Sequence, residues 1–298
     1  MAAYEGLRLA VQRQGRLTEG TLALLHAIGL EFESYNQRLF SPCRNFPLAL
    51  LYARDDDIPE YVAAGTVDAG IVGQNLIHEE SPDVAELLPL GYGYCTLVLA
   101  VPKESRVQGP RDLAGGRVAT SYPRSARAYF ARHGIGDVEV ITLSGSVEVA
   151  PSLGLADAIV EITATGSTLL LNDLRPVDTV LESQATLVAN HAALADPAKR
   201  ADLDRLLMRI KAVRTGRRYK YVMMNAPRKA LPRIREIMPG LKEPTVVPLA
   251  DPDWVAVHAA VREETFWEVI EALHRAGASE ILVAPIEKLV KQGEASRS

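Results

Sequence analysis

A hydroxyl-rich stretch, EITATGSTLLLND, runs from Glu161 to Asp173 directly after the apolar run DAIV. Its middle, 163–168, carries four hydroxyl side chains and Gly166, with no charge. Backbone N–H groups and hydroxyls at the start of a helix attract anions, and glycine lets a ligand approach the backbone. The stretch therefore predicts a phosphate-binding loop or a helix cap, and composition leaves the two balanced. It is neither a Walker A loop nor a dinucleotide fingerprint, because both glycine patterns are absent.

Other polar residues follow predicted strands. Gly15 and Arg16 come just after the first strand, where ligands of open α/β sheets gather. Arg16 offers a permanently charged fork for a phosphate, and a plain surface charge is the alternative. Tyr122 could stack on a base and Glu148 could orient a polar group, with helix caps and turns as the alternatives at both positions.

Three consecutive acids, Asp55 to Asp57, stand in RDDDIP. Such a run is typical of a solvated turn or a helix start, with Asp57 as the cap. A magnesium role stays open, because Mg²⁺ prefers carboxylates together with substrate phosphates. The two cysteines, Cys43 and Cys95, lack a CxxC spacing and predict free thiols in a reducing compartment.

Bulk composition narrows the class of protein. A chain of 298 residues suggests two or three domains. A net charge of −4 argues against a protein that coats nucleic acid. The sequence shows no signal-peptide pattern and no apolar run of membrane-spanning length, so we expect a cytoplasmic protein without a membrane partner.

Strands and helices alternate along the first two thirds of the chain. Buried strands are predicted at 7–11, 68–73, 95–101 and 116–121, and then at VEVITL and DAIVEI. The alternation predicts α/β layers with mainly parallel sheets. The run VDTVLESQATLVAN is long for one strand and could link two lobes. Thr18, Ser121 and Asp196 are the predicted helix caps.

After TGRR the order of elements becomes β-α-β-β-α-β, between about 220 and 290. That order is the ferredoxin-like signature. It predicts a separate small domain, of a size typical of regulatory modules.

One continuous pattern from Glu148 to Leu169 carries a family resemblance. It comprises Glu148, Gly154, Ala156, Ile159, an acidic residue, Ile162 and Thr165-Gly166-x-Thr168-Leu169. Around it, in order, stand QGRL, RDDDIP, VDAGIVGQN, ATSYP, GSVEVAP, YVMMNAP, PTVVPLA and GASEILVAPIEK. Across residues 7–290 the chain resembles the long form of the ATP phosphoribosyltransferase family, which begins histidine biosynthesis.

The resemblance implies a pentosyltransferase reaction. Adenine N1 of ATP attacks C1 of 5-phosphoribosyl 1-diphosphate, which gives N1-(5-phosphoribosyl)-ATP and diphosphate, with Mg²⁺ as cofactor. Positioning and electrostatic stabilisation suit this chemistry, and no protein nucleophile is needed.

The resemblance also implies residue roles. The 5-phosphate falls to the loop Thr163, Ala164, Thr165, Gly166, Ser167 and Thr168. Glu161 accepts from the ribose hydroxyls, and Arg16, beside Gly15, contacts a phosphate of ATP or the diphosphate. Tyr122 and Glu148 belong to the cleft wall.

The implied fold is α/β: a two-lobed core like a type II periplasmic binding protein plus a ferredoxin-like regulatory domain. The first lobe comprises 1–101 with 187–215, the second 102–186, and the regulatory domain 220–292. In the family this domain binds histidine as a feedback inhibitor, here near Asn225, Thr245 and Ser279 between subunits. The implied oligomers are active dimers and an inhibited hexamer.

Three residues depart from the family pattern. Glu161 replaces the usual aspartate, Gln14 a serine, and Asp173 a glycine, so a turn with positive φ at Asp173 would be less comfortable. Two other classes stay open: a non-enzymatic two-lobed binding protein, and an accessory subunit with an inactive site. The missing signal peptide argues against the first and the intact hydroxyl loop against the second.

Overall fold

The structure is a computed structural model that describes residues 4–32, 39–164, 166–238 and 243–291. Thr165, one of the predicted phosphate contacts, lies outside the described residues. The chain divides into two compact units, Met1–Leu203 and Asp204–Ser298. No helix within the described ranges is long and apolar enough to cross a membrane.

The first unit contains the following strands: β1 Leu7–Gln12, β2 Phe40–Pro42, β3 Leu48–Ala53, β4 Ala69–Gly73, β5 Ala85–Pro89, β6 Cys95–Pro102, β7 Arg117–Thr120, β8 Glu139–Thr142, β9 Ala158–Thr163, β10 Leu174–Ser183 and β11 Ala185–Ala189. Its helices are α1 Thr18–Ala27, α2 Ile58–Ala63, α3 Gln74–Glu80, α4 Pro123–Arg132, α5 Ser167–Leu171 and α6 His191–Ala195, and α7 Pro197–Arg217 follows.

Two sheets divide the first unit into two lobes. Among the described residues the first-lobe sheet has the order β2-β3-β1-β4-β11-β5, and the second-lobe sheet β10-β6-β9-β7-β8. The apolar run of β6 is buried on both faces, because Leu97 and Leu99 lie in one apolar cluster and Val98 and Ala100 in another. The second-lobe sheet is therefore covered on two sides at β6, which explains the near-continuous apolar run of this strand.

The predicted lobe boundary at residue 101 differs from the observed pairing. Strand β6 pairs with β9 and β10, so it belongs to the second lobe. The chain crosses between the lobes before β6, in the segment GYGY, where Gly91 and Gly93 have φ of 78° and 62°. An apolar run predicts burial but does not say in which sheet the strand lies, so the sequence could not assign β6 to a lobe.

The chain returns to the first lobe within the segment that was predicted to link the two lobes. The run VDTVLESQATLVAN is divided between β10 in the second-lobe sheet and β11 in the first-lobe sheet. The return falls between Ser183 and Ala185, so the predicted boundary at 186 lies inside β11.

The prediction of mainly parallel sheets is wrong. In the first-lobe sheet β1 runs parallel to β3 and β4, but β11 is antiparallel to both of its neighbours. In the second-lobe sheet β7 is parallel to β8 and β9, whereas β6 is antiparallel to its neighbours. Strands that arrive from the other lobe enter each sheet in the reverse direction.

The second unit contains β12 Tyr219–Pro227, α8 Leu231–Ile237, β13 Thr245–Pro248, β14 Trp254–Arg262, α9 Phe266–Arg275 and β15 Ser279–Pro285. Its described strands form an antiparallel sheet in the order β13-β14-β12-β15. Valines of β12 and β14 share an apolar cluster with Ile234 and Leu273 of the two helices. This βαββαβ arrangement confirms the predicted ferredoxin-like domain.

Helix caps were predicted with mixed success. Asp196 is confirmed, because its Oδ1 accepts from the N–H groups of Ala198 and Lys199 at 2.9 and 3.1 Å. Thr18 lies inside α1, where its hydroxyl donates to the Gln12 carbonyl. Asp57 occupies the N-cap position of α2 without a side-chain cap bond. Ser121 is not the cap of α4, whose N-cap residue is Tyr122.

Candidate active site

Glu161 lies near the end of strand β9 in the second lobe. The side chain is half-buried, and its Oε1 accepts from the Ile162 N–H at 2.9 Å. Burial raises the pKa of Glu161, and the negative charge of Glu148 raises it further. Hydrogen bonds from Ile162 and Ser121 oppose this rise in the pKa. Glu148 and Ser121 are therefore both close enough to act on the Glu161 carboxylate.

The hydroxyl loop continues directly from β9. The Gly166 N–H donates to the Thr163 hydroxyl at 2.8 Å, which closes the turn before α5. Gly166 has φ of 77°, and a Cβ there would meet no atom within 4 Å. Ser167 and Thr168 are exposed at the start of α5, which has no side-chain cap bond. The glycine is thus required by backbone conformation, and the space beside it is open.

The turn after β1 presents Arg16. Gly15 has φ of 139°, and a Cβ there would collide with the Gln12 side chain. Gln12 is buried and its Oε1 accepts from the Leu17 N–H at 2.8 Å. Arg16 Nη1 donates to the Gly93 carbonyl in the crossing segment. The arginine is consequently held where the chain passes between the lobes.

Asn75, at the start of α3, joins several of these groups. Its Oδ1 accepts from Arg16 Nη2 at 3.2 Å and from the Ser183 hydroxyl at 3.0 Å. Its own N–H donates to the Ser183 oxygen at 2.9 Å, and its Nδ2 lies 3.5 Å from the Tyr122 hydroxyl. Asn75 therefore connects Arg16 of the first lobe with Tyr122 of the second.

Tyr122 packs on the apolar clusters of both lobes. Its N–H donates to the Thr120 hydroxyl at 2.8 Å, and Thr120 is fully buried. Burial raises the pKa of Tyr122, and the charges of Glu161, Cys95 and Asp56 act in the same direction. The phenol therefore stays protonated at neutral pH and serves as a hydrogen-bonding group between the lobes.

The acidic run 55–57 lies beside this region. Burial raises the pKa of Asp56, and Asp55 and Asp57 add to the rise. Asp55 and Asp57 also line an open cavity of about 510 Å³ together with Arg13, Arg54, Tyr52 and Tyr61. Within the described residues no group of three histidine, cysteine or acidic side chains is placed to hold a metal ion.

The predicted histidine-pocket residues lie in the second unit, on β12, β13 and β15. Asn225 and Ser279 are paired across β12 and β15, and Asn225 Nδ2 donates to Glu280. Thr245 pairs instead with His258 on β14, so two strands separate it from Ser279. The sheet brings two of the three residues together within one chain.

Several connecting residues were not predicted. Asn75, Glu79 and Ser183 tie the lobes together, yet none was selected as a site residue. Asn75 carried a usable signal, because a polar side chain follows a buried strand at its carboxyl end. Glu79 and Ser183 stand in helical and strand patterns that give no such signal.

Two α/β lobes joined by two crossings form a two-lobed core with the periplasmic-binding-protein-like fold, with the hydroxyl loop at the end of β9 and Arg16 at the first crossing. The family model for ATP phosphoribosyltransferase matches residues 54–212, and the model for the HisG C-terminal domain matches residues 216–288. The chain belongs to the ATP phosphoribosyltransferase family, whose reaction begins histidine biosynthesis.

Similar proteins extend over nearly the whole chain. The ATP phosphoribosyltransferase of Cytophaga hutchinsonii is 44% identical over 285 residues, which is 96% of this chain and 99% of that protein. The ATP phosphoribosyltransferase of Phocaeicola vulgatus is also 44% identical, over 95% and 99% of the two chains. The ATP phosphoribosyl transferase (HisG:HisZ) complex from Thermotoga maritima matches with a TM-score of 0.59 and 28% identity, over 69% of this chain and 96% of that chain.

Proposed function

We propose that this chain transfers the phosphoribosyl group to ATP in the region between its two lobes. A bond forms between adenine N1 and ribose C1, while the bond from C1 to the diphosphate oxygen breaks and diphosphate leaves. The observation that best supports the proposal is that β9 supplies both Glu161 and the hydroxyl loop. The carboxylate proposed to bind the ribose and the loop proposed to bind the 5-phosphate are therefore neighbours along the chain, as two groups of one substrate require.

The proposed residue roles follow from placement. N–H and hydroxyl groups at 163–168 bind the 5-phosphate, for which the open space beside Gly166 leaves room. The Glu161 carboxylate accepts from the ribose hydroxyls and favours positive charge developing on the ring. Arg16, held by Gly93 and Asn75, neutralises phosphate charge of ATP or of the leaving diphosphate.

Tyr122 and Glu148 complete the cleft wall in this proposal. The Tyr122 ring is largely occupied by packing on both lobes, which favours a bridging contact over an open stacking surface for adenine. Glu148 acts on Glu161 through its charge. Both residues therefore tune the site that the substrates enter.

The carboxylates of the proposed site could hold Mg²⁺ together with substrate phosphates. Mg²⁺ is commonly held by one or two carboxylates together with substrate phosphates, and the described residues offer no three-residue metal cluster. Glu148 and Glu161 are the neighbouring carboxylates that would complete its ligands beside the diphosphate. When bound, the ion would neutralise charge on the leaving diphosphate.

The enzyme proposal is tested by one assay. Purified full-length chain is mixed with ATP, 5-phosphoribosyl 1-diphosphate and Mg²⁺, and product is followed by absorbance. We expect product that depends on both substrates. If none forms while an active relative works in the same buffer, and either substrate still binds, the chain is a binding protein or an inactive subunit instead.

Histidine feedback is the regulatory part of the proposal. We propose that the second unit binds histidine near Asn225 and Ser279 at a contact between subunits. Thr245, which two strands separate from Ser279 within one chain, would be contributed by the neighbouring subunit. The inhibitor would favour a hexamer over active dimers, which requires that histidine bind one state more tightly. Its test is separate: insensitivity to histidine would reject the regulation and leave the transferase activity standing.

A further inference from the structure

One face of α3 is buried between the lobes. Asn75 and Glu79 are four residues apart, so their side chains lie on the same face of the helix. Both are buried, with only 3% and 9% of their surfaces exposed. The neighbouring Glu80 is exposed. This short helix therefore directs a carboxylate away from water and toward the second lobe.

The Glu79 carboxylate receives three hydrogen bonds from the first turn of α4. Oε1 accepts from the Arg124 N–H at 2.8 Å. Oε2 accepts from the Ser125 N–H at 2.9 Å and from the Ser125 hydroxyl at 2.8 Å. Helix α4 has no side-chain cap bond from its own N-cap residue, Tyr122. A first-lobe carboxylate thus takes the capping role for a second-lobe helix.

The capped turn follows directly after a site residue. Tyr122 precedes Pro123 and Arg124, and its hydroxyl approaches Asn75 on the same face of α3. Asn75 in turn accepts from Arg16. A relative rotation of the lobes would break the three bonds to Glu79 and separate Tyr122 from the Asn75–Arg16 pair.

We infer that Glu79 is a positioning residue, a clasp that holds the two lobes in the arrangement that binds both substrates. The inference rests on the proposed transferase site. The carboxylate touches no substrate. It keeps the first turn of α4, and with it Tyr122, in register with Arg16 across the cleft.

The expected signature is a change in KM for both substrates. If the binding-competent arrangement is only fractionally populated, apparent affinity falls by that fraction. In Glu79→Gln one carboxylate oxygen is replaced by an amide NH2 group, which cannot accept hydrogen bonds from these donors. We therefore expect KM for ATP and for 5-phosphoribosyl 1-diphosphate to rise by about tenfold each, with kcat changed less than about threefold.

Two further variants make the test specific. Ser125→Ala removes the hydroxyl donor but keeps both N–H donors, so its KM values should lie between those of the wild type and Glu79→Gln. Glu80→Gln removes the adjacent exposed carboxylate and should match the wild type. Small-angle scattering of each unliganded full-length chain should show a larger radius of gyration in Glu79→Gln than in Glu80→Gln.

Several results would overturn the clasp. Unchanged KM values and radius in Glu79→Gln would do so, as would an activity loss in kcat alone or one that follows only the fall in the thermal midpoint. If the wild type has no transferase activity, the proposed function fails by itself. Scattering then decides the clasp alone, because that measurement needs no turnover.

Discussion

Glu161 has one methylene more than the aspartate usual in the family, and the structure shows how the longer arm is accommodated. Its Oε1 turns back to the N–H of the next residue at 2.9 Å, so the added length is partly used within β9. Glu148 and Ser121 both act on this carboxylate: the charge of Glu148 raises its pKa and hydrogen bonds from Ser121 lower it. In the proposed function, this carboxylate is the acceptor for the ribose hydroxyls.

The activity should depend on the ionised form of Glu161. Burial and then Glu148 raise its pKa above the usual range, so the acceptor is lost as the pH falls through that raised value. Glu148→Gln removes the like charge, and the acid limb of kcat/KM should move to lower pH. The measurement is a pH profile of kcat/KM, with the exposed Glu139→Gln as control. A limb that stays in place would contradict the coupling.

Gly166 offers a second test at a single residue. Its φ of 77° costs alanine about 1–2 kcal/mol, while no atom blocks the new methyl group. Gly166→Ala should reshape the turn and raise KM for 5-phosphoribosyl 1-diphosphate by about tenfold, equivalent to about 1.4 kcal/mol. Steady-state kinetics measure this.

Gly134 is the matched control for that variant. It has φ of 74°, it also has no atom within 4 Å of an added Cβ, and it follows α4 rather than the loop. Gly134→Ala should cost similar stability and leave KM unchanged. Equal KM values for the two alanine variants would reject the phosphate assignment.

The turn at Asp173 has the positive φ that a glycine usually adopts. Its φ is 52°, in the region where glycine is usual, and its carboxylate pairs with Lys103 at 2.8 Å. Aspartate tolerates this conformation better than most residues. The turn before β10 thus accommodates an aspartate where the family pattern has glycine.

At the scale of elements, both lobes contain the same kind of aspartate–arginine contact between neighbouring strands. Asp68 precedes β4 and binds the backbone and guanidinium of Arg8 on β1. Asp157 precedes β9 and binds the same groups of Arg117 on β7. The first pair is buried at the aspartate and gains Lys199 at 2.7 Å, whereas the second is about half exposed.

This difference predicts unequal costs for the same substitution. Asp68→Asn should lower the free energy of unfolding by up to about 3–5 kcal/mol, because it leaves the half-buried cations of Arg8 and Lys199 without their carboxylate. Asp157→Asn should cost about 1 kcal/mol or less, since exposed pairs contribute little. Denaturant unfolding at neutral pH measures both. Equal losses would show that burial does not determine how much the aspartate–arginine contact stabilises the fold.

The pH dependence of the Asp68 contribution has a definite sign. Burial opposes ionisation, but the bonds from Arg8 and Lys199 outweigh it and hold the pKa of Asp68 below its usual range. The stabilisation is therefore present above the unfolded-state pKa and is lost as the pH falls through the lower, folded-state value. Asp68→Asn should lack this acid-sensitive component.

At the scale of the whole molecule, the chain combines a two-lobed core with a four-stranded ferredoxin-like domain. The family models match these parts separately, at 54–212 and 216–288. The three-part division into two lobes and a regulatory domain remains our proposal, with β6 moved to the second lobe.

Histidine sensitivity should depend on residues of the second unit. Asn225→Ala and Ser279→Ala remove side chains that lie side by side on β12 and β15. We expect the histidine concentration for half-inhibition to rise at least about tenfold, which corresponds to about 1.4 kcal/mol. Inhibition curves measure it, and Glu268→Gln on α9 is the control. Unchanged curves for both alanine variants would place the histidine site elsewhere.

The sequence by itself determined the fold class and the hydroxyl loop. Apolar runs, the βαββαβ order and the Glu148–Leu169 pattern are local signals. Tertiary structure alone decided which sheet receives β6, the mixed strand directions and the cap of α4. Asn75 and Ser183 are 108 residues apart, and Glu79 lies 45 residues from Arg124. No local pattern marks such pairs, because they meet only when two separately packed lobes are brought together by the crossings.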